Sequence, residues 1–160
     1  MLKKILKILE NDARTTTEKI AIMTGTKVDE VKKLIKKAEG DRTILKYKTM
    51  INWDKVGDEQ IWALIEIKIA PQREVGFDAI SERIYRYPHV RSAYLVSGTY
   101  DMAALVRGSS MHEISDFVAQ KLAPIEGVQG TVTHFLLKRF KEAGEILGGR
   151  EGTKRQSIIL

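Results

Sequence analysis

The sequence predicts an α+β fold in two domains: an N-terminal winged helix-turn-helix domain over residues 1–57 and a ferredoxin-like βαββαβ domain over residues 58–143. Before residue 41, three short segments place apolar residues at helical spacing, and a glycine separates the last two segments. From residue 61 onward, four segments read as strands, and two helical segments lie between them. After residue 143 the apolar periodicity fades, which predicts a mobile tail over residues 144–160.

The composition excludes several classes of protein. The chain has 160 residues, of which 43% are hydrophobic and 30% charged, and it contains 0 Cys. No apolar run approaches the roughly 18 residues that a membrane-spanning helix needs, so no membrane partner is expected. The lack of cysteine excludes a disulfide framework and a thiolate metal site, and it fits the reducing cytoplasm, which is the expected location.

Nothing in the motif content favours catalysis. The histidines His89, His112 and His134 lie in three different predicted elements and lack the spacing of metal ligands. The chain contains no G-x-S-x-G, no Walker loop and no G-x-G-x-x-G. We therefore expect no enzyme activity, no metal and no cofactor.

The first helix is predicted over "LKKILKILENDA", which ends at Asn11 and Asp12. The second, "TTTEKIAIMTG", opens with Thr15 three residues before Glu18, which is the spacing of a capping box. Gly25 supplies the turn to the third helix, "VDEVKKLIKKAEG". The last two helices with their tight turn form a helix-turn-helix pattern, and residues 43–52 read as a strand that completes the wing.

The charge of the third helix indicates a polyanionic partner. Residues 1–57 carry 14 Lys and Arg against 8 Asp and Glu, so the surplus of +6 lies in this half of the chain. A lysine-rich helix is often only a solvated surface, but the second helix of a helix-turn-helix enters the major groove of double-stranded DNA. Two acids in its first turn either accept hydrogen bonds from cytosine or stabilise the helix N-terminus. The predicted DNA-binding residues are Thr26, Lys27, Asp29, Glu30, Lys32, Lys33, Lys36, Lys37 and Arg42.

The second domain is predicted from alternating strands and two amphipathic helices. The first helix is stopped by Pro88, and the second begins with a capping box formed by Ser110 and Glu113. On the first strand, Trp62 and Leu64 lie on the face opposite the isoleucines, which favours a sheet-to-sheet dimer. The predicted strands are 61–71, 90–98, 100–108 and 128–140, and the first helix spans 74–87.

Three stretches together resemble the Lrp/AsnC, or feast/famine, family of transcription regulators. They are "ILKILENDARTTTEKIAIMTG", "VKKLIKKAEGDRTILKYKTMIN" and "SGTYDMAALVRG", and the resemblance covers residues 2 to about 141. The chain departs from the family pattern at Leu34, where an arginine is usual, and at Ala38, where a leucine is usual. Arg42 and Thr43 replace the usual Gly-Val. In the family, the arginine that Leu34 replaces is a common part of the helix that faces the DNA.

The resemblance implies a small effector, often an amino acid, bound between subunits of a homodimer or a higher homo-oligomer such as an octamer. In the stretch "SGTYDMAALVRG", Gly98 permits positive φ, and the turn N–H groups of Thr99 and Tyr100 suit the carboxylate of an amino acid. Asp101 suits its ammonium group. The alternative is that Gly98 only makes the turn and Asp101 only caps it. The resemblance also places Thr131 and Thr133 near the effector, with Arg107 lining the same cleft, although threonines are ordinary in strands.

Two other functions fit the same two-domain outline. Siroheme decarboxylases share it, but their second-domain signature is rich in His, Tyr and Asn-Leu-Trp where this chain has "SGTYDMAALV". A DNA-compacting architectural protein would use the basic helix with little sequence preference. The sequence favours a sequence-specific regulator whose oligomeric arrangement responds to the effector.

Overall fold

The computed structural model describes residues 1–58, 60–70 and 76–147. The chain forms two compact units, which divide between Ile51 and Asn52. The sequence predicts the division after residue 57 instead. The residues between these two points, including a short 3-10 helix over Trp53–Val56, belong to the second unit.

The first unit consists of three helices around a small apolar core. They are α1 (Leu2–Asn11), α2 (Thr17–Thr24) and α3 (Val28–Gly40). Ile5, Ile20, Ala21 and Val31 are buried between them. Burying one aliphatic side chain contributes about 1.5–3 kcal/mol, so a few contacts of this kind fix the three helices together.

The start of α2 differs from the prediction. Thr16, not Thr15, is the N-cap, and its hydroxyl accepts a hydrogen bond from the Lys19 N–H at 3.3 Å. The predicted capping box between Thr15 and Glu18 is therefore wrong, because the helix begins one residue later than that box requires. At the other end Gly25 has φ +67°, which allows its N–H to bond back to the last turn.

The predicted strand over residues 43–52 is wrong, and the described residues do not form a wing. This segment leaves α3 with the Ile44 N–H donating to the Ala38 carbonyl at 2.8 Å, and it has no strand pairing within the described chain. Its apolar residues occupy both alternating positions, so neither face would be buried consistently. Leu45, for example, is 77% exposed.

The second unit has the element order βαββαβ. The four strands form one antiparallel sheet in the order β2-β3-β1-β4. Each strand is shorter than its predicted span, and the part of the predicted 74–87 helix at residues 74–75 lies outside the described residues. The elements are β1 (Ile61–Ile69), α4 (Phe77–Tyr85), β2 (Val90–Leu95), β3 (Met102–Gly108), α5 (Met111–Phe117) with a π-helical turn over Val118–Leu122, and β4 (Val128–Phe135).

Period-two alternation in β1 separates the two faces of this sheet. Ala63, Ile65, Ile67 and Ile69 are buried among side chains of α4 and α5. We call this the helix face and the opposite side the open face. The helix face carries the main apolar core of the unit.

The prediction of a mobile tail from residue 144 is wrong for its first residues. Lys141–Glu142 (β5) pairs with Glu145–Ile146 (β6) in a two-stranded antiparallel ladder. The Leu147 N–H donates to the Phe140 carbonyl at 2.9 Å, and the Leu147 carbonyl accepts from the Asn52 side chain at 3.0 Å. The remainder of the predicted tail, residues 148–160, lies outside the described residues.

Candidate functional sites

The outer surface of α3 carries the largest group of predicted DNA-binding residues. Val31 and Ala38 are buried, and Leu34 and Ile35 are half-buried beside them. The helical period places four exposed lysines on the remaining surface. Within the described chain, none of the four forms a salt bridge, so their charge faces solvent. They are Lys32, Lys33, Lys36 and Lys37.

The first turn of α3 places the remaining predicted base-reading groups together. Lys27 is the N-cap and makes no capping hydrogen bond with its side chain. Asp29 and Glu30 are exposed in the first turn, where negative charge stabilises the helix dipole. Thr26 is half-buried, and its hydroxyl contacts the Met1 sulfur at 3.2 Å.

Arg42 lies just beyond α3 and is exposed. Its φ of +62° is rare for a residue with a side chain and marks a tight reversal. Asp41 supports that reversal by accepting the Thr43 N–H at 3.0 Å. The Thr43 hydroxyl, and after it this backbone bond, hold the pKa of Asp41 below its usual value. This turn sets the direction in which the chain leaves α3.

In the β2–β3 turn, Asp101 bonds to another residue of the turn and to three residues of β1. The Val96 N–H donates to the Asp101 carbonyl at 2.9 Å, and the Asp101 N–H donates to the Ile67 carbonyl at 3.1 Å. The Asp101 carboxylate accepts the Ile69 N–H at 2.8 Å and lies 3.3 Å from the Lys68 ammonium. The Ile69 N–H and then Lys68 hold the pKa of Asp101 below its usual value. Asp101 therefore connects the turn to the end of β1. This agrees with the alternative interpretation, in which Asp101 only caps the turn.

The turn nevertheless leaves backbone accessible. Gly98 has φ +159°, and no atom would lie within 4 Å of a Cβ added there. Thr99 is exposed and Tyr100 half-buried, and the Thr99 carbonyl accepts from the Lys68 ammonium at 3.4 Å. Four predicted ligand residues, Gly98 to Asp101, thus lie together at one edge of the second unit.

The other predicted ligand residues are separated by the sheet register. Thr131 pairs with Ile67 and Thr133 with Ile65, which places both threonines on the helix face. Arg107 pairs with Trp62, so its side chain lies on the open face. It is six residues further along the chain than Asp101, and at the rise of a strand this separates the two residues by about 20 Å. Within one chain Arg107 therefore does not lie beside the threonines, and its place in a cleft between subunits stays a prediction.

Arg107 instead belongs to a cluster around Trp62. Its guanidinium lies 5.9 Å from the Trp62 ring centre, and that of Arg139 lies 4.9 Å away, both within cation–π range. Arg107 also donates to the Gln60 side chain at 3.0 Å. The Trp62 indole nitrogen is buried and has no hydrogen-bond partner among the described residues.

One polar network was missed by the sequence analysis. Ser110 caps α5 by accepting the Glu113 N–H at 3.1 Å, as predicted. The Glu113 carboxylate, however, accepts from the Ser109 N–H at 2.7 Å and from its hydroxyl, and it lies 3.0 Å from His89 Nε2. The bonds from Ser109, followed by His89, lower the pKa of Glu113 to about 2. The capping-box spacing indicates Glu113, but its contact with His89 depends on how α5 packs against the residues that precede β2.

Two absences among the described residues bear on other functions. They contain no group of three or more His, Cys, Asp or Glu side chains arranged to hold a metal ion. They also contain no helix with the length and apolar character needed to cross a bilayer.

Comparison with known proteins gives consistent results. Residues 62–146 match the model of the Lrp/AsnC ligand binding domain. The HTH-type transcriptional regulator YugG of Bacillus subtilis, itself uncharacterised, is 44% identical over 153 residues, which cover 95% of this chain and 92% of that protein.

Two similar solved structures contain an amino acid. The first is a transcriptional regulator from Neisseria meningitidis in complex with L-Met, with TM-score 0.70, 21% identity, and coverage of 88% of this chain and 90% of that one. The second is a feast or famine regulatory protein from M. tuberculosis complexed with L-methionine, with TM-score 0.71, 23% identity, and coverage of 91% and 96%. At these identities the likeness shows a shared fold.

Proposed function

The chain belongs to the Lrp/AsnC family of transcriptional regulators, and from that premise we propose that it binds specific promoter DNA through α3 and responds to a small effector, most simply an amino acid. It is a DNA-binding regulator of the helix-turn-helix type. The proposal covers three things: which residues recognise the DNA, which effector binds, and how the subunits assemble. We also infer a ferredoxin-like second unit from the βαββαβ order and the β2-β3-β1-β4 sheet.

The exposed lysine surface of α3 is the observation that carries DNA binding. The four lysines on this helix face solvent without a salt bridge in the described chain, so their full charge is available to phosphates. In a helix-turn-helix, the second helix enters the major groove with its first turns toward the bases. Base contacts then fall to the first turns, at Thr26, Lys27, Asp29, Glu30 and Lys33. The phosphate backbone is contacted by Lys32, Lys36, Lys37 and Arg42.

The effector proposal rests on the chemistry at the β2–β3 turn. An amino acid needs a partner for its ammonium group and donors for its carboxylate, and Asp101 lies beside the exposed backbone of Gly98 and Thr99. The two L-methionine complexes of similar fold support an amino acid as the class of ligand. Because Thr131 and Thr133 lie on the helix face and Arg107 at the far end of β3, these residues would act only if a second subunit completes the site.

The open face supports self-association. It carries Trp62 and Leu64 on β1 and Val132 on β4, and Val132 is 52% exposed. Apolar side chains of this size are costly in water and suit a sheet-to-sheet contact between two copies. A dimer would place two copies of α3 on two half-sites of one duplex, and the combined affinity then exceeds that of a single helix.

Fluorescence anisotropy with a labelled duplex from the promoter of its own gene tests the DNA function. We expect saturable binding at low salt, with unlabelled promoter DNA competing better than random DNA. Equal competition by both would favour the architectural alternative, and footprints confined to a few operators would oppose it. A chain that ignores duplex DNA and instead purifies with an iron tetrapyrrole, visible by absorbance, would favour the decarboxylase alternative.

A thermal-shift screen of the amino acids tests the effector. We expect at least one to raise the melting temperature of the wild type and to leave Asp101→Asn unchanged, since asparagine retains an acceptor for Ile69 but loses the charge that an ammonium group needs. Asp116→Asn is the matched control on α5, away from the turn. A ligand that stabilises all three proteins equally would remove Asp101 from the site.

A further inference from the structure

A basic cleft lies on the helix side of the second unit, where the C-terminal end of α4 meets the end of the π-helical turn. Its volume is about 560 Å³, within the range of about 300–1,000 Å³ that small-molecule sites occupy. Arg83, Arg86 and Lys121 contribute positive charge to it, and Tyr87 and Ile125 contribute apolar surface. Its lining residues include none from the β2–β3 turn or from α3, so the proposed function does not use it.

The cations of this cleft are available to a ligand. Arg83 and Lys121 form no salt bridge within the described residues, and both are exposed. Arg86 is held by Glu82, one turn earlier on α4, through its Nε and one terminal nitrogen. The other terminal nitrogen makes no hydrogen bond in the described part of the chain. Glu82 therefore orients the Arg86 guanidinium and leaves one edge of it free, with a local surplus of positive charge.

The apolar side of the cleft is preorganised. The Tyr87 ring packs edge-on against Phe117, with ring centres 5.2 Å apart, so it is anchored by the core. Ile125 also packs against that core. A flat ring placed on Tyr87 and Ile125 would have its substituents near the cations contributed by two separate elements, α4 and the π-helical turn.

We propose that this cleft binds a phosphorylated small molecule that carries an aromatic ring, with the chemistry of a nucleotide. Arginine forms paired, charge-assisted hydrogen bonds to phosphate oxygens, and lysine adds a point charge. An amino acid would leave most of this charge unmatched, because its single carboxylate comes with an ammonium group that the cations repel. The site is open to solvent, and its volume lies within the range of small-molecule sites. The regulator would then receive a second signal at a surface distinct from its effector turn.

Isothermal titration calorimetry of the full chain with ATP, inorganic pyrophosphate and adenosine tests the proposal. We expect ATP to bind, pyrophosphate to compete with it, and adenosine to bind more weakly than ATP. The double variant Arg83→Gln/Lys121→Gln removes two cations and should weaken ATP binding about 100-fold, from about tenfold for each charge-assisted contact. The variant Arg91→Gln/Lys138→Gln removes the same charge outside the cleft and should bind ATP as the wild type does.

Three results would overturn the proposal. The first is an absence of binding heat with both ATP and pyrophosphate at concentrations up to about 1 mM. The second is equal loss of ATP binding in both double variants, which would indicate general attraction to a basic protein. The third is loss of duplex DNA affinity in Arg83→Gln/Lys121→Gln without any ATP binding by the wild type, which would make the cleft a phosphate contact for DNA. Circular dichroism spectra of the variants check that all of them are folded.

Discussion

The double substitution Lys36→Ala/Lys37→Ala tests how α3 meets DNA. Both side chains are exposed and form no salt bridge in the described residues, and alanine has a higher helix propensity than lysine. The variant should therefore keep the helix and lose two charges per chain. Each phosphate contact contributes about 0.9 to the slope of log affinity against log salt concentration, so the slope should fall by about 1.8 per bound chain.

This slope predicts a measurable difference in affinity. Over a rise from about 50 to about 200 mM salt, the wild type should lose about tenfold more affinity than the variant for each bound chain. If two chains contact one duplex, the slope change doubles to about 3.6 and reports the stoichiometry as well. Fluorescence anisotropy at four or more salt concentrations measures it directly.

The matched control for this experiment is Arg91→Ala/Lys138→Ala, which removes the same charge from the second unit. Its slope should match that of the wild type. An unchanged slope in Lys36→Ala/Lys37→Ala would show that these lysines do not contact phosphates. Equal changes in both double variants would show that net charge, and not the position of α3, controls the binding.

Three further predictions concern stability. Thr16→Ala should lower the free energy of unfolding by about 1 kcal/mol through loss of the α2 N-cap, whereas Thr15→Ala should change it little; urea unfolding measures both, and the reverse order would restore the predicted capping box. Glu113 has its pKa lowered to about 2, so the stability it contributes is complete above the usual value near 4.5 and is lost as the pH falls toward 2. Glu113→Gln should therefore reduce stability near neutral pH and flatten the acid limb of the pH–stability curve, and an unchanged limb would contradict this. Gly127→Ala should lower the free energy of unfolding by more than about 1 kcal/mol, because φ is +94° and the new Cβ would meet the side chain of Ile80 on α4; a melting temperature equal to that of the wild type would refute that packing.

The parts of the fold predicted well are those in which local pattern and burial agree. The apolar stripe of α3 and the alternation in β1 each assign a single buried face, and Val31 and Ile65 lie fully buried as that pattern requires. The segment 43–52 lacks this agreement, because its apolar residues fall on both alternating positions. A strand there needs a pairing partner, which local sequence does not supply.

The candidate sites show a different limit. Residues close in sequence, such as Gly98 and Asp101, were placed together correctly because one turn holds them. Thr131 and Arg107 lie on different strands, and their faces depend on the pairing of each strand with β1. A one-residue change of register reverses the face, so separate strands cannot be related by a sequence pattern alone. The contact between Glu113 and His89 is of the same kind, since it joins α5 to the residues that precede β2.

Asp101 combines a structural role with the proposed ligand role, and the geometry indicates how both coexist. The Ile69 N–H fixes the carboxylate from within the sheet, whereas the Lys68 ammonium approaches it from the solvent side, where that side chain is 49% exposed. Ion pairs between exposed groups are weak, so a ligand ammonium could replace Lys68 while the bond from Ile69 keeps the carboxylate in position. Lys68 lies on the open face, and its release would change the charge of the surface that we propose to join two copies. Binding at the turn would thereby alter subunit contact directly, which is the differential interaction that any effector needs in order to shift an oligomeric equilibrium.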